Sequence, residues 1–167
     1  MEIILAENYG FCYGVKRAVE MADEAANSEG KSYTLGPIIH NPQVVGRLES
    51  KGVSPIQEVA DIDEGTMIIR SHGVGPAIYA EAEEKGLHIL DATCPHVKKA
   101  QQDAKSVIED GMTLVILGEK NHPEVKSINL WANNRGIIIE DEESAEKLQI
   151  VEKMGVVVQT TFSQFKF

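Results

Sequence analysis

Asp91-Ala92-Thr93-Cys94-Pro95-His96-Val97 decides how this chain is read, because it sets a cysteine between an apolar run (Leu87, Ile89, Leu90) and a helical pattern that starts at Pro95. Proline suits the first helical position, where its missing N–H costs nothing. The unpaired amides and dipole of that turn favour a thiolate over a thiol, which primes the sulfur as a ligand or a nucleophile. The only other cysteine, Cys12, lies in Phe11-Cys12-Tyr13-Gly14-Val15-Lys16-Arg17-Ala18, and the two stretches align as C-x-x-V-K-[RK]-A. Leu35-Gly36-Pro37-Ile38-Ile39-His40 matches Leu117-Gly118-Glu119-Lys120-Asn121-His122 in the same register, since Cys12 to Cys94 and His40 to His122 are both 82 residues apart. Two matches in one register, each with a chemically unusual residue, indicate a duplicated unit. Its length is that of a small α/β domain rather than of a solenoid repeat.

Between these landmarks, short aliphatic runs alternate with amphipathic patterns, which is the signature of parallel α/β units. Strands are expected at 2–6, 32–36, 66–70, 87–91, 113–117, 136–139 and 155–159, and helices near 14–28, 41–51, 76–85, 95–110, 123–132 and 142–148. Val15, Val19, Ala22 and Ala26 form one helical core stripe, and Val97, Ala100, Ala104, Val107 and Ile108 another. Gly30, Gly52, Gly86 and Gly111 fall just past helical patterns, where a left-handed cap is wanted. The expected fold class is therefore α/β, with two repeated units of parallel sheet flanked by helices: residues 1–92 with Cys12, and residues 93–167 with Cys94.

The formal net charge of −10 argues against nucleic acid as a main partner, although a local anion pocket is compatible with it. No apolar run is long enough to cross a membrane, and the chain opens on Ile3-Ile4-Leu5 with no basic leader. The expectation is a cytoplasmic protein with no membrane partner. In a reducing compartment two cysteines have no need of a disulfide, so a metal or catalytic role is the alternative to a plain buried thiol.

In open α/β sheets ligands bind beyond the carboxyl ends of strands. His40, His72, Cys94 and His122 all follow strand-like runs, each with glycine or proline beside it. The three histidines suit either a metal site or an anion clamp, and their nearness to helix-start amides favours phosphate. His88 and His96 lack that placement and read as ordinary histidines. Glu124 falls in a first helical turn, either as a partner of the dipole or as a general acid. Ser71, Thr160 and Thr161 end strand-like runs and offer hydroxyls to the same region. Two cysteines are too few for a common iron–sulfur cluster. A third unit at the same interval would bring its cysteine to about position 176, beyond Phe167.

Taken in order, Gly10-Phe11-Cys12-Tyr13-Gly14-Val15, Leu35 to Asn41, Arg70-Ser71-His72-Gly73-Val74, Asp91 to Pro95, His122-Pro123-Glu124-Val125 and Gln159-Thr160-Thr161 resemble the 4-hydroxy-3-methylbut-2-enyl diphosphate reductase family, also called LytB. The resemblance implies a trefoil of three similar α/β domains, of which this chain matches two, around a [4Fe–4S] cluster held by one cysteine from each. It implies Cys12 and Cys94 as cluster ligands, His40, His72 and His122 as diphosphate ligands, Glu124 as the proton donor and Thr160 as the active-site threonine, with Thr161 adjacent. The implied reaction is reductive loss of an allylic hydroxyl, in the methylerythritol phosphate route to isoprenoids, giving isopentenyl and dimethylallyl diphosphates. A ferredoxin or flavodoxin is the implied electron donor. The third cysteine has no counterpart in the sequence, so the isolated chain is expected to be an inactive fragment. The alternative is a non-enzymatic zinc module built on Cys12, Cys94 and a histidine. A thiol hydrolase using Cys94 and His122 lacks an orienting motif.

Overall fold

Short β-branched runs followed by helices can satisfy their backbones only by pairing in parallel, and they do so in two sheets. The computed structural model describes residues 2–7, 9–149 and 152–163. In chain order the elements are α1 (Tyr13–Ala26), β1 (Ser32–Leu35), α2 (Pro42–Ser50), β2 (Val53–Ile56), a 3₁₀ turn (Val59–Asp61), β3 (Thr66–Ile69), α3 (Pro76–Glu84), β4 (His88–Asp91), α4 (Pro95–Glu109), β5 (Thr113–Leu117), α5 (Pro123–Trp131), β6 (Ile137–Ile139), α6 (Glu142–Glu146) and β7 (Met154–Val158). The first sheet has the order β2-β1-β3-β4 and the second β6-β5-β7, with every pairing parallel. The sequence repeat is thus a repeat of topology: β1 and β5 each sit between the strand that follows them and the strand after that.

The stripes read from sequence face the cores, although Val15, Ala26 and Val107 are only partly buried and Ala18 and Ala25 take the inner positions of α1. Ala18, Val19, Ala22 and Ala25 of α1 pack with Leu48 of α2 on one face of the first sheet, against Val53 and Ile68. Met67 and Ile69 point the other way, into Val59, Ile62 and Ala82 of α3. In the second unit Ala100, Ala104 and Ile108 of α4 and Val125 and Ile128 of α5 cover Leu114, Ile116 and Val157. Gly86 and Gly111 take φ of +68° and +72° just past α3 and α4. Leu87 N–H donates to Ala82 C=O and Met112 N–H to Val107 C=O, closing both helices by the cap that glycine permits. Gly30 instead lies in a turn, because α1 already ends at Ala26.

Two expectations are corrected. Residues 2–6 are not a strand: Ile3, Ile4 and Leu5 are 74%, 83% and 72% exposed and pair with nothing among the described residues. An aliphatic run becomes a strand only where another backbone completes its hydrogen bonds. Conversely, Val53-Ser54-Pro55-Ile56 was not expected to be a strand and forms β2. It lies at the sheet edge, the place where a proline, having no N–H to offer, is tolerated. The expected second unit, 93–167, runs past the described residues, since 164–167 lie outside them.

The two units meet along a seam. Cys94 N–H donates to Ser71 C=O at 2.9 Å, the Trp131 indole N–H to Val74 C=O at 2.9 Å, and the Arg17 guanidinium to Thr93 C=O at 3.2 Å. At its centre is Gly73, with φ of +70°, where an added Cβ would lie 2.4 Å from Gln101 Nε2 and 3.1 Å from Ser127 Oγ. Gln101 and Ser127 are themselves buried and hydrogen-bonded to each other. Gly73→Ala combines a left-handed backbone with overpacking, and the expected loss is about 2–4 kcal/mol in equilibrium urea unfolding. A variant as stable as the parent would show that the seam yields freely.

Candidate functional site

Strand order places the site. In the first sheet β1 connects outward to β2 and β3 outward to β4, so the chain reverses direction between β1 and β3, and a crevice forms at their carboxyl ends. The second sheet has the same reversal between β5 and β7. His40 follows β1 and His72 follows β3, while His122 and Glu124 follow β5 and Thr160 follows β7. The seam turns these two crevices toward each other.

The three histidines converge. Ring centroids lie 4.6 Å apart for His40 and His72, 5.4 Å for His72 and His122, and 6.1 Å for His40 and His122. A nitrogen from each falls within 4.8 Å of the others. His122 is the N-cap of α5, and its Nδ1 accepts from Glu124 N–H at 3.2 Å, which leaves Nε2 to carry the proton of the neutral ring. His40 precedes Asn41, whose side chain caps α2 by accepting from Val44 N–H. Nδ1 of His72 is buried with no hydrogen-bond partner among the described residues. Three neighbouring imidazoles and nearby helix-start amides suit an anion by hydrogen bonding, and the same nitrogens suit a metal ion.

Glu124 is 1% exposed. Its two oxygens are held by one residue: Thr160 N–H donates to Oε1 at 2.6 Å and Thr160 Oγ1 to Oε2 at 2.9 Å. Thr161 instead accepts from Gln159 Nε2 at 2.9 Å, so of the two adjacent threonines it is Thr160 that meets Glu124. Gln159 Oε1 in turn accepts from Glu119 N–H, tying the end of β7 to the loop after β5.

Each cysteine is the N-cap of its helix, Cys12 of α1 and Cys94 of α4, and neither makes a side-chain capping bond. Both are free. A Cβ at Gly14, in the first turn of α1, would stand 2.4 Å from Cys94 Sγ, so the second sulfur lies against the helix start that Cys12 caps. Among the described residues no histidine joins the two cysteines in a convergent ligand set. The Cys94 loop is fixed from below by Asp91, which accepts from Thr93 N–H, Tyr79 OH and Lys98. Burial pushes the Asp91 carboxyl up, but the bonds from Lys98 and Thr93 outweigh it and hold it below its ordinary value. Tyr79 and Gln101 were not singled out from sequence, and Arg17 and Gln159 stood there only as members of motifs, with no role of their own. Nothing in a linear pattern marks a tyrosine or glutamine whose partner lies in another element.

His72 is pushed from the usual histidine range down to about 4, first by burial and then by His40, His122 and Arg70. A base with a depressed folded pKa binds fewer protons when folded than when unfolded. Its contribution is therefore present above about pH 6.5 and is lost as pH falls toward 4, with an upper bound of about 3 kcal/mol for this half-buried ring. Urea unfolding at pH 7 and pH 4.5 is expected to show a smaller loss on acidification in His72→Gln than in the parent, and ring NMR to show His72 still neutral at pH 5. Titration of His72 near 6.5 would remove the basis for both.

The LytB protein family profile matches residues 3–167. The 4-hydroxy-3-methylbut-2-enyl diphosphate reductases of Geobacter metallireducens and Geotalea daltonii are 50% and 52% identical over 163 residues, which is 98% of this chain and 58% of each relative. A solved (E)-4-hydroxy-3-methyl-but-2-enyl diphosphate reductase, the terminal enzyme of the non-mevalonate pathway, superposes with a TM-score of 0.84 at 45% identity, over 98% of this chain and 59% of that one. The E-1-hydroxy-2-methyl-but-2-enyl-4-diphosphate reductase of Plasmodium falciparum superposes with a TM-score of 0.90 at 32% identity, over 96% and 52%. The chain thus spans a little under three fifths of the length of the curated relatives it matches.

Proposed function

The chain belongs to the LytB protein family, and on that premise we propose that it forms part of a reductase that removes the hydroxyl of 4-hydroxy-3-methylbut-2-enyl diphosphate. The observation that carries this reading is the convergence of His40, His72 and His122 beside a buried Glu124–Thr160 pair at facing strand ends. The histidines bind the diphosphate. Glu124 supplies the proton with which the hydroxyl leaves as water, and a second proton and two electrons complete the isopentenyl and dimethylallyl products.

Thr160 fixes which oxygen holds the proton. A backbone N–H can only donate, so Oε1, which faces it, stays an acceptor. A hydroxyl both donates and accepts, so Oε2 is the atom that can carry a proton while keeping its bond to Thr160. Cys12 and Cys94 are two ligands this chain offers to a [4Fe–4S] cluster, and free sulfurs at two adjoining helix starts fit that use. When bound, the cluster supplies the electrons, which a ferredoxin or flavodoxin delivers. A cluster needs at least one thiolate more than these two. We therefore read units 1–92 and 93–167 as two of three, working in the cytoplasm; among the described residues no helix is long and apolar enough to cross a membrane.

Joining this chain to the remaining two fifths of the Geobacter metallireducens reductase tests the reading. The chimera is expected to reduce the substrate under anaerobic assay, and Glu124→Gln in it to lower turnover at least about a hundredfold with the cluster spectrum retained. Near-normal turnover in Glu124→Gln would return the residue to a dipole partner. The 167-residue chain alone, reconstituted anaerobically with iron and sulfide, is expected to show no stable [4Fe–4S] absorption or paramagnetic signal. A second reading, a zinc-binding module, is favoured by one observation, the three histidine nitrogens within 4.8 Å. Metal analysis separates the two: tightly bound zinc with no acid-labile sulfide in the chimera would replace the reductase reading.

A further inference from the structure

A cavity of about 390 Å³ opens along the seam, and none of the three clustered histidines lines it. Val74, Ile78 and Leu130 give it apolar walls, and its charged lining residues are Arg70 and Lys126, with no aspartate or glutamate. The chain has 26 acidic side chains against 16 lysines and arginines. In so acidic a protein, two cations in one cavity would be expected to find carboxylates, yet neither forms an ion pair among the described residues. Arg70 Nε is buried with no hydrogen-bond partner among the described residues, and burial pushes the guanidinium pKa down. Room for this group is built into the backbone. Gly36 holds φ of +71°, and a Cβ there would lie 2.9 Å from Arg70 Nη1.

A half-buried guanidinium whose Nε bond is unmade is costly, and the groups that satisfy its planar fork are phosphates and carboxylates. Apolar walls beside it call for a ligand with a hydrocarbon body, the usual composition of a small-molecule site. We propose that this cavity binds a phosphate-class anion carried on a short hydrocarbon, its headgroup on Arg70 and Lys126 and its body against Val74, Ile78 and Leu130. The proposal stands apart from the proposed reduction, since it uses none of the residues assigned to that chemistry.

Isothermal titration of the chain with hexyl phosphate, inorganic phosphate and 1-hexanol tests it, alongside a His40→Asn/His122→Asn double variant that disables the other anion site. Hexyl phosphate is expected to bind saturably in both parent and double variant, and to bind at least about tenfold more weakly in Lys126→Gln and in Arg70→Gln. Lys126 is exposed on α5, so its substitution keeps the test decisive if Arg70→Gln fails to fold. Binding lost in the histidine variant and unchanged in Lys126→Gln would place the anion on the histidines and overturn the proposal, as would no saturable binding in the parent. Inorganic phosphate as tight as hexyl phosphate, or hexanol as tight, would overturn the amphiphilic assignment.

Discussion

Everything in the candidate site depends on the approach of the loop after β3 to the two helices of the second unit, an approach close enough that residue 73 has no room for a side chain. His72 and His122 belong to different sheets, and their ring centroids lie 5.4 Å apart because that contact fixes one sheet end against the other. Packed interiors transmit displacement rather than absorb it. One methyl group inserted between Gly73 and Gln101 therefore acts on the spacing of the histidines although it touches none of them. The same seam sets Cys94 Sγ against Gly14 through the bonds from Cys94 N–H to Ser71 and from Arg17 to Thr93. The histidine cluster and the Cys94 sulfur are thus positioned by one contact surface.

Net charge would not explain the anion binding proposed for the histidines, because the chain carries −10 and His72 is held neutral well below physiological pH. What remains is donor geometry: imidazole N–H groups and helix-start amides in a partly desolvated crevice, where a hydrogen bond to an ionised oxygen is stronger than in water. A neutral His72 avoids repulsion with the two rings whose centroids lie 4.6 and 5.4 Å from its own. An arriving anion would oppose that balance, since its charge favours the protonated His72 ring that burial and its neighbours disfavour. Binding and proton uptake are therefore coupled with the same sign.

Much of the fold was legible because periodicity and punctuation agreed. The stripes of α1 and α4, the prolines at the starts of α2, α3, α4 and α5, and the repeat in register each named an element that formed. The failures have one cause, which is that strand formation is a property of pairs. Ile3-Ile4-Leu5 has the composition of a strand and no neighbouring backbone among the described residues, whereas Val53 to Ile56 has a proline and a neighbour. The convergence of His40, His72 and His122 was legible as placement, because strand order turns the ends of β1, β3 and β5 together. Arg17, Gln101 and Ser127 were not, because each matters through a partner far away in sequence: Arg17 meets Thr93, and Gln101 and Ser127 meet each other and Gly73.

Burial bears on the two readings of Glu124, dipole partner and proposed proton donor, that sequence leaves equal. A carboxylate serving only the dipole of α5 gains its few tenths of a kcal/mol at the surface and has no reason to be desolvated. At 1% exposure the ionised group instead loses hydration worth several kcal/mol, and the bonds that offset this come from one residue of another strand. That offset works in either protonation state, because the Thr160 hydroxyl can turn from donor to acceptor while its N–H stays on Oε1. A carboxyl held in one geometry whether ionised or protonated can give up a proton without moving. This is what proton delivery at a fixed distance requires, and what a dipole partner does not.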